Sequence, residues 1–173
     1  MSIRVKNFLL LILLISSSVA AQNSDTFWSV STIKGDTYSN KVASLNNESS
    51  NSVRNKSNSK DVFPFIEFYC QTTNSDIYLE IDWKRFISSF NKTEIGIVID
   101  NARTEWLAVK VDKKNAITRL VSAKDTQEII NKLLTATSLK IEIEPYSEPA
   151  ISSEYNLQNF SSKLNEFIQI CKK

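Results

Sequence analysis

Few side chains in this chain have the type and spacing to carry chemistry. Glu80 and Asp82 lie two residues apart, as do Glu142 and Glu144. On a strand, residues two apart share a face, so each pair would set two carboxylates side by side. That arrangement can run glycoside hydrolysis or hold calcium. It is also what the solvated side of an amphipathic strand looks like. The alternation of Ile77, Leu79 and Ile81, and of Leu139, Ile141 and Ile143, favours that second reading. The chain has no histidine, which removes Ser-His-Asp and Cys-His catalysis and most zinc sites. Its two cysteines, Cys70 and Cys171, are too few for a thiolate metal site and are not spaced as a redox pair. Two glycines leave no phosphate-cradling loop. No catalytic residue, metal ligand or cofactor is expected, and the chain reads as a non-enzyme.

Binding is the chemistry that remains. Trp28, Trp83 and Trp106, with nine Phe and five Tyr, could build a surface for stacking sugars or gripping peptides. Core packing is expected for most of them. Tyr78 lies on the polar parity of its strand beside Glu80 and Asp82, so these three form the candidate binding surface.

The elements that must position them start from residues 63–83, which read as a β-hairpin. Ile66, Phe68 and Cys70 fall on one parity, and Ile77, Leu79, Ile81 and Trp83 on one face of the second arm, with a turn expected at 73–76. Before it, residues 27–33 and 37–45 suggest two strands around a turn at Gly35. Residues 46–61, rich in Asn and Ser with Val53 as the one apolar residue, are expected to be a flexible insert outside the core. The two sequons within it, at Asn47 and Asn55, carry no weight in so Asn- and Ser-rich a stretch.

After the hairpin, residues 84–91 suggest one helical turn with Phe86 and Phe90 pointing inward. Strands follow at 94–100, where Gly96 marks a bulge or a close backbone approach, and at 106–111 and 116–121. Ser122 and Asp125 have capping-box spacing for a helix near 125–136. Leu139, Ile141 and Ile143 mark a strand that ends at Pro145, and Tyr155 opens a short one. A last helix, near 158–171, sets Phe160, Leu164, Phe167, Ile168 and Cys171 on one stripe. The fold class expected is α+β: an antiparallel meander, sheet or sandwich of six to eight strands, with two helices.

Residues 1–21 have the form of a secretory signal: Arg4 and Lys6, an apolar run at 8–15, then small residues up to Val19-x-Ala21. An apolar run of eight is short of the roughly 20 residues that span a bilayer, and no transmembrane segment is expected after cleavage. Without Arg4 and Lys6, nineteen basic residues face nineteen acidic ones. A neutral chain with no basic cluster does not suit nucleic acid. Residues 22–173 then make a single exported domain, periplasmic or secreted. In an oxidising compartment two cysteines most simply form one disulfide. Cys70 and Cys171 both sit on apolar stripes, so the bond would tie the last helix to the hairpin across a loop of roughly 100 residues.

The order of landmarks resembles the type VI secretion-associated TagO/VasI family of exported accessory proteins. The residues that carry it are Trp28-Ser29-Val30-Ser31, Phe68-Tyr69-Cys70, Ile77-Tyr78-Leu79-Glu80-Ile81, Glu105-Trp106, the helix from Asp125 to Leu134, Leu139 to Tyr146, and a Phe-containing helix ending in Cys171. The likeness covers mainly residues 65–173. The chain departs from the family in lacking a cysteine-bearing segment before Trp28 and in carrying the 46–61 insert. The resemblance implies a periplasmic accessory protein of the cell envelope with a protein partner. The alternative is a periplasmic inhibitor or saccharide-binding module.

Processing is the first expectation open to measurement: intact-mass analysis of exported protein should place the mature N-terminus at Gln22. A mass that retains residues 1–21 would contradict it.

Overall fold

Period-two alternation of apolar and polar residues produces strands along most of the chain. The computed structural model describes residues 27–33, 40–72 and 74–172. The expected signal segment and the turn expected at Gly35 lie outside them. In chain order the elements are β1 (Ser29–Thr32), β2 (Lys41–Glu48), β3 (Val53–Asn55), β4 (Lys60–Val62), β5 (Phe65–Gln71), β6 (Asn74–Asp82), β7 (Lys92–Ile99), β8 (Glu105–Val111), β9 (Ile117–Leu120), α1 (Ala123–Leu133), β10 (Ser138–Ile143), β11 (Ile151–Asn156) and α2 (Phe160–Cys171). Among the described residues nine strands form one sheet in the order β1-β2-β5-β6-β9-β8-β7-β10-β11, with every pairing antiparallel. The fold is the α+β class expected, and among the described residues its sheet has nine strands where six to eight were expected.

The inward parity of each strand fills one core. Ile66, Phe68 and Cys70 of β5, Leu79 and Ile81 of β6, Ile95 and Ile97 of β7, and Leu139, Ile141 and Ile143 of β10 are all buried in a single cluster. Both helices add to it. Helix α1 contributes Ile129, Ile130 and Leu133, and its N-cap Ser122 accepts a hydrogen bond from the Asp125 backbone N–H at 3.1 Å. Leu134, within the range expected for this helix, falls just past its end and is exposed. Helix α2 contributes Phe160, Leu164 and Phe167. The Phe160 ring meets Trp28 at 4.8 Å and Phe68 at 5.9 Å, an aromatic cluster of the kind that adds directional contacts to burial.

Hydrogen bonds link the β1–β2 end of the sheet to β11 at its other end. Past the end of β2, the Ser50 backbone N–H donates to the carbonyl of Glu154 in β11 at 2.8 Å. Asn51 Nδ2 donates to the Ser152 carbonyl at 2.9 Å, and Asn51 Oδ1 accepts from the Glu154 backbone N–H at 2.7 Å. Nearby, Trp28 Nε1 donates to the Asn156 carbonyl at 2.8 Å and Asn47 Nδ2 to the same carbonyl at 3.3 Å. The stretch 46–61, expected as a flexible insert outside the core, makes these contacts with β11. The stretch finishes β2, seals the edge of β11 and folds into the β3–β4 hairpin, with Val53 and Asn55 buried. Amide side chains carry both a donor and an acceptor, so an Asn-rich segment can pair with a strand edge without strand periodicity.

Two further expectations are corrected. The turn of the central hairpin is tighter than 73–76, because β6 already begins at Asn74. A register shift sets Cys70 opposite Ile77 but Gln71 opposite Asn74, and a bulge on β6 absorbs the surplus residues. Residues 84–91 form no helical turn. Arg85 and Ile87 point inward, while Phe86 and Phe90 are 44% and 61% exposed. Backbone bonds from Ile87 to Asn115 and from Tyr146 to Ile87 hold this segment extended. Arg85 tolerates burial because its guanidinium donates to the Arg54 and Phe86 carbonyls and to Glu148, the last at 2.5 Å. Burial pushes the Glu148 carboxyl up, but the hydrogen bonds and charges of Arg85 and Lys56 outweigh it and leave the group below its ordinary range.

The disulfide falls where the two apolar stripes meet. Cys70 and Cys171 are bonded, with Cα atoms 5.9 Å apart and a sequence separation of 101. In the chain-entropy model a loop of that length contributes about 4–5 kcal/mol, as an upper figure. We expect Cys70→Ser and Cys171→Ser each to lower stability by several kcal/mol and to a similar extent, with the double variant no worse than either. Urea unfolding of the three variants checks this, and clearly unequal losses would contradict it.

Candidate functional site

The outward parity of the hairpin carries the residues singled out from the sequence. Tyr69 of β5 and Tyr78 of β6 are directly opposite, their rings stacked at 5.4 Å and 24°. One rung along, Glu67 faces Glu80. Two like charges opposed across strands repel, and cations from the flanking strands resolve the conflict. Lys41 Nζ donates to Glu67 Oε2 at 2.5 Å and to Glu80 Oε2 at 2.8 Å. Arg119 of β9, opposite Glu80 in register, donates through Nε to Glu80 Oε1 at 2.6 Å, with a second contact from Nη2.

Lys41 reaches this face because of a local irregularity. Ala43, two residues later, points into the core, and strict alternation would send Lys41 there too. A register shift between Lys41 and Ala43 turns it outward. Its ammonium then sits 4.1 Å above the Tyr69 ring, and the Arg119 guanidinium 5.6 Å from the same ring. Tyr69 is fully covered although it lies on the outer face. Burial, aided by the negative charge of Glu80, pushes its hydroxyl well above the ordinary tyrosine value.

Each residue of the candidate surface can now be placed. Tyr78, expected to be the best exposed aromatic, is half-buried against Tyr69. Glu80, expected on a solvated face, is 7% exposed and held by two cations. Asp82 is half-buried and accepts from Lys84 Nζ at 2.6 Å, while that ammonium also lies 5.6 Å from the Phe65 ring. Two shallow grooves flank the network. One of about 210 Å³ includes Lys41, Phe65, Glu67 and Asp82 in its walls, and one of about 190 Å³ includes Lys110, Asp112 and Arg119. Each of these carboxylates is paired with a cation: Glu67 with Lys41, Glu80 with Lys41 and Arg119, and Asp82 with Lys84. Sequence reasoning missed Lys41 and Arg119, which come from strands far apart in the chain and meet only through sheet order. Among the described residues no group of acids or cysteines is arranged to hold a metal ion, and no helix is long and apolar enough to cross a membrane.

A second feature lies on the outer face of β7 and β8. Gly96 pairs with Trp106, and a Cβ built on Gly96 would come within 2.6 Å of Thr104 Cγ2 and 3.3 Å of the indole. The close approach expected at Gly96 is therefore that of a side chain lying over the glycine. Trp28 and Trp83 are fully buried, the latter donating from Nε1 to Thr118 Oγ1 at 3.0 Å, whereas Trp106 is 47% exposed. Thr93, Glu94, Trp106 and Glu144 line a groove of about 460 Å³. Beyond the same ends of β7 and β10, the exposed Phe90 and Tyr146 meet edge to face at 5.6 Å.

No family model and no curated protein matches the chain. Among solved structures it is similar to invasion associated protein B from Bartonella henselae. The fold is shared. The TM-score is 0.52 at 15% identity, over 85% of this chain and 95% of that one. The TagO/VasI resemblance has no matching family model behind it.

The network predicts unequal sensitivity to losing an acid. Glu80→Ala removes the buried carboxylate that Arg119 and Lys41 share and should cost about 1–3 kcal/mol. Asp82→Ala, which removes a more exposed pair, should cost less than about 1 kcal/mol. Thermal or urea unfolding compares the two, and equal losses would show that the four-strand network is not coupled.

Proposed function

We propose that this chain is a non-enzymatic, exported protein of the bacterial cell envelope that acts by binding another protein. The observation that carries this reading is the outward placement of Trp106, Phe90 and Tyr146 around β7, β8 and β10 of a disulfide-tied sheet. Large aromatics left in water on a rigid scaffold are the groups that anchor protein interfaces. Glu80, the buried acid of the outer face, is already bound by Lys41 and Arg119, which supports a structural and not a catalytic part for it.

The structural neighbour is named for invasion, and carried over within this reading the likeness supports a role at the envelope. Its finer form, an accessory to a type VI secretion system, rests on the resemblance across residues 65–173. A second reading, a saccharide-binding module, is favoured by one observation, the exposed indole over Gly96.

Photo-crosslinking in intact cells separates these. A benzophenone amino acid in place of Trp106 should trap a discrete protein adduct, while one in place of Lys163 on α2 should not. Absence of any protein adduct at Trp106 and at Tyr78 would count against the binding-protein reading.

A further inference from the structure

Resting on that reading, we infer that the groove between Trp106, Glu94 and Glu144 docks a basic segment of the partner, seating a lysine or arginine side chain against the indole between the two carboxylates. The register builds this site from three strands. Gly96 of β7 faces Trp106 on one side and Glu142 of β10 on the other, and Glu94 faces Ala108. One residue past the Ile143–Ile95 pair, Glu144 comes alongside Glu94. Two acids therefore stand next to each other at the edge of an exposed aromatic ring, and all three line the same groove.

The charges around the groove select its occupant. Glu142 is neutralised by Lys140 at 2.7 Å. Glu94 and Glu144 are both exposed and have no ion-pair partner among the described residues. Adjacent like charges repel, and a cation placed between them relieves that repulsion while gaining the attraction of the indole face, the strongest of the aromatic side chains for cations. Gly96 keeps the space beneath the ring clear, so the indole rests on the sheet with its remaining surface open to solvent.

Lys92 and Lys110 face each other one rung beyond Glu94 and Ala108. They bound the acidic zone and would repel a second cation placed there. Past them lie the exposed Phe90 and Tyr146. The pattern suits an extended segment with one cation at Glu94 and Glu144 and an apolar residue further along. A neutral sugar could stack on the ring and donate hydroxyl hydrogen bonds to the carboxylates, but it would leave the repulsion between the two like charges unrelieved. The mature chain has as many basic as acidic residues, so overall charge alone would not recruit a basic ligand.

The probe is a fluorescein-labelled peptide of four arginines spaced by serine and glycine, followed by anisotropy and by the emission of Trp106, the solvent-exposed tryptophan. Binding should weaken at least tenfold in Glu94→Gln/Glu144→Gln and in Trp106→Ala, fall with added salt, and stay unchanged in Glu128→Gln on α1. The matching glutamate peptide and an uncharged chitotetraose should not compete. Full binding by the double glutamine variant, no binding by the wild type, or displacement by chitotetraose would each overturn the inference. A crosslink to a protein at Trp106 alongside a failed peptide titration would leave the binding-protein reading standing and remove this one.

Discussion

The bond between Cys70 and Cys171 is the constraint on which the rest of the structure depends. It joins β5, an inner strand of the sheet paired with β2 and β6, to the last turn of the last helix. The segment it encloses contains β6 to β11 and both helices, so closing it removes much of the freedom of the unfolded chain. It does not act alone. At the opposite end of α2, Phe160 packs against Trp28 and Phe68. Asn159 exchanges hydrogen bonds with the Trp28 backbone, accepting from its N–H at 3.2 Å and donating to its carbonyl at 3.2 Å. The helix is thus fastened at one end by a covalent bond and at the other by aromatic packing and an amide clamp.

A helix held against the inner surface leaves the outer surface of the sheet to be settled by charge and hydrogen bonding. Around the hairpin the outcome is a closed network, in which four strands contribute Lys41, Glu67, Tyr69, Tyr78, Glu80 and Arg119 and the central tyrosine is lost from solvent. Around β7 and β8 the outcome is the reverse. Glycine and alanine leave the backbone low, Trp106 spreads over it, and Glu94 and Glu144 have no ion-pair partner among the described residues. The first region shows how a polar sheet face can cover an aromatic ring as fully as a core does. The second concentrates the aromatic and acidic groups that an interface would use.

Residue patterns alone determined a good deal of this protein. The apolar stripes they marked on the central hairpin, β10 and α2 lie in the core or pack against it, because the side-chain period of a strand or helix is fixed by backbone geometry and needs no knowledge of neighbours. The disulfide was legible for the same reason, with two cysteines on two apolar stripes. Tertiary structure decided what periodicity does not encode. The Asn- and Ser-rich stretch became a structural seam because Glu154 and Ser152 of β11 came within reach of its amides. Phe86 and Phe90 turned outward because Ile87 and Arg85 found backbone and carboxylate partners on distant segments. Lys41 left the core side through a register shift, and Glu80 became buried because sheet order brought Arg119 beside it. Which strand lies next to which is a long-range property of the chain, and the pairing of every charge on the outer face depends on it.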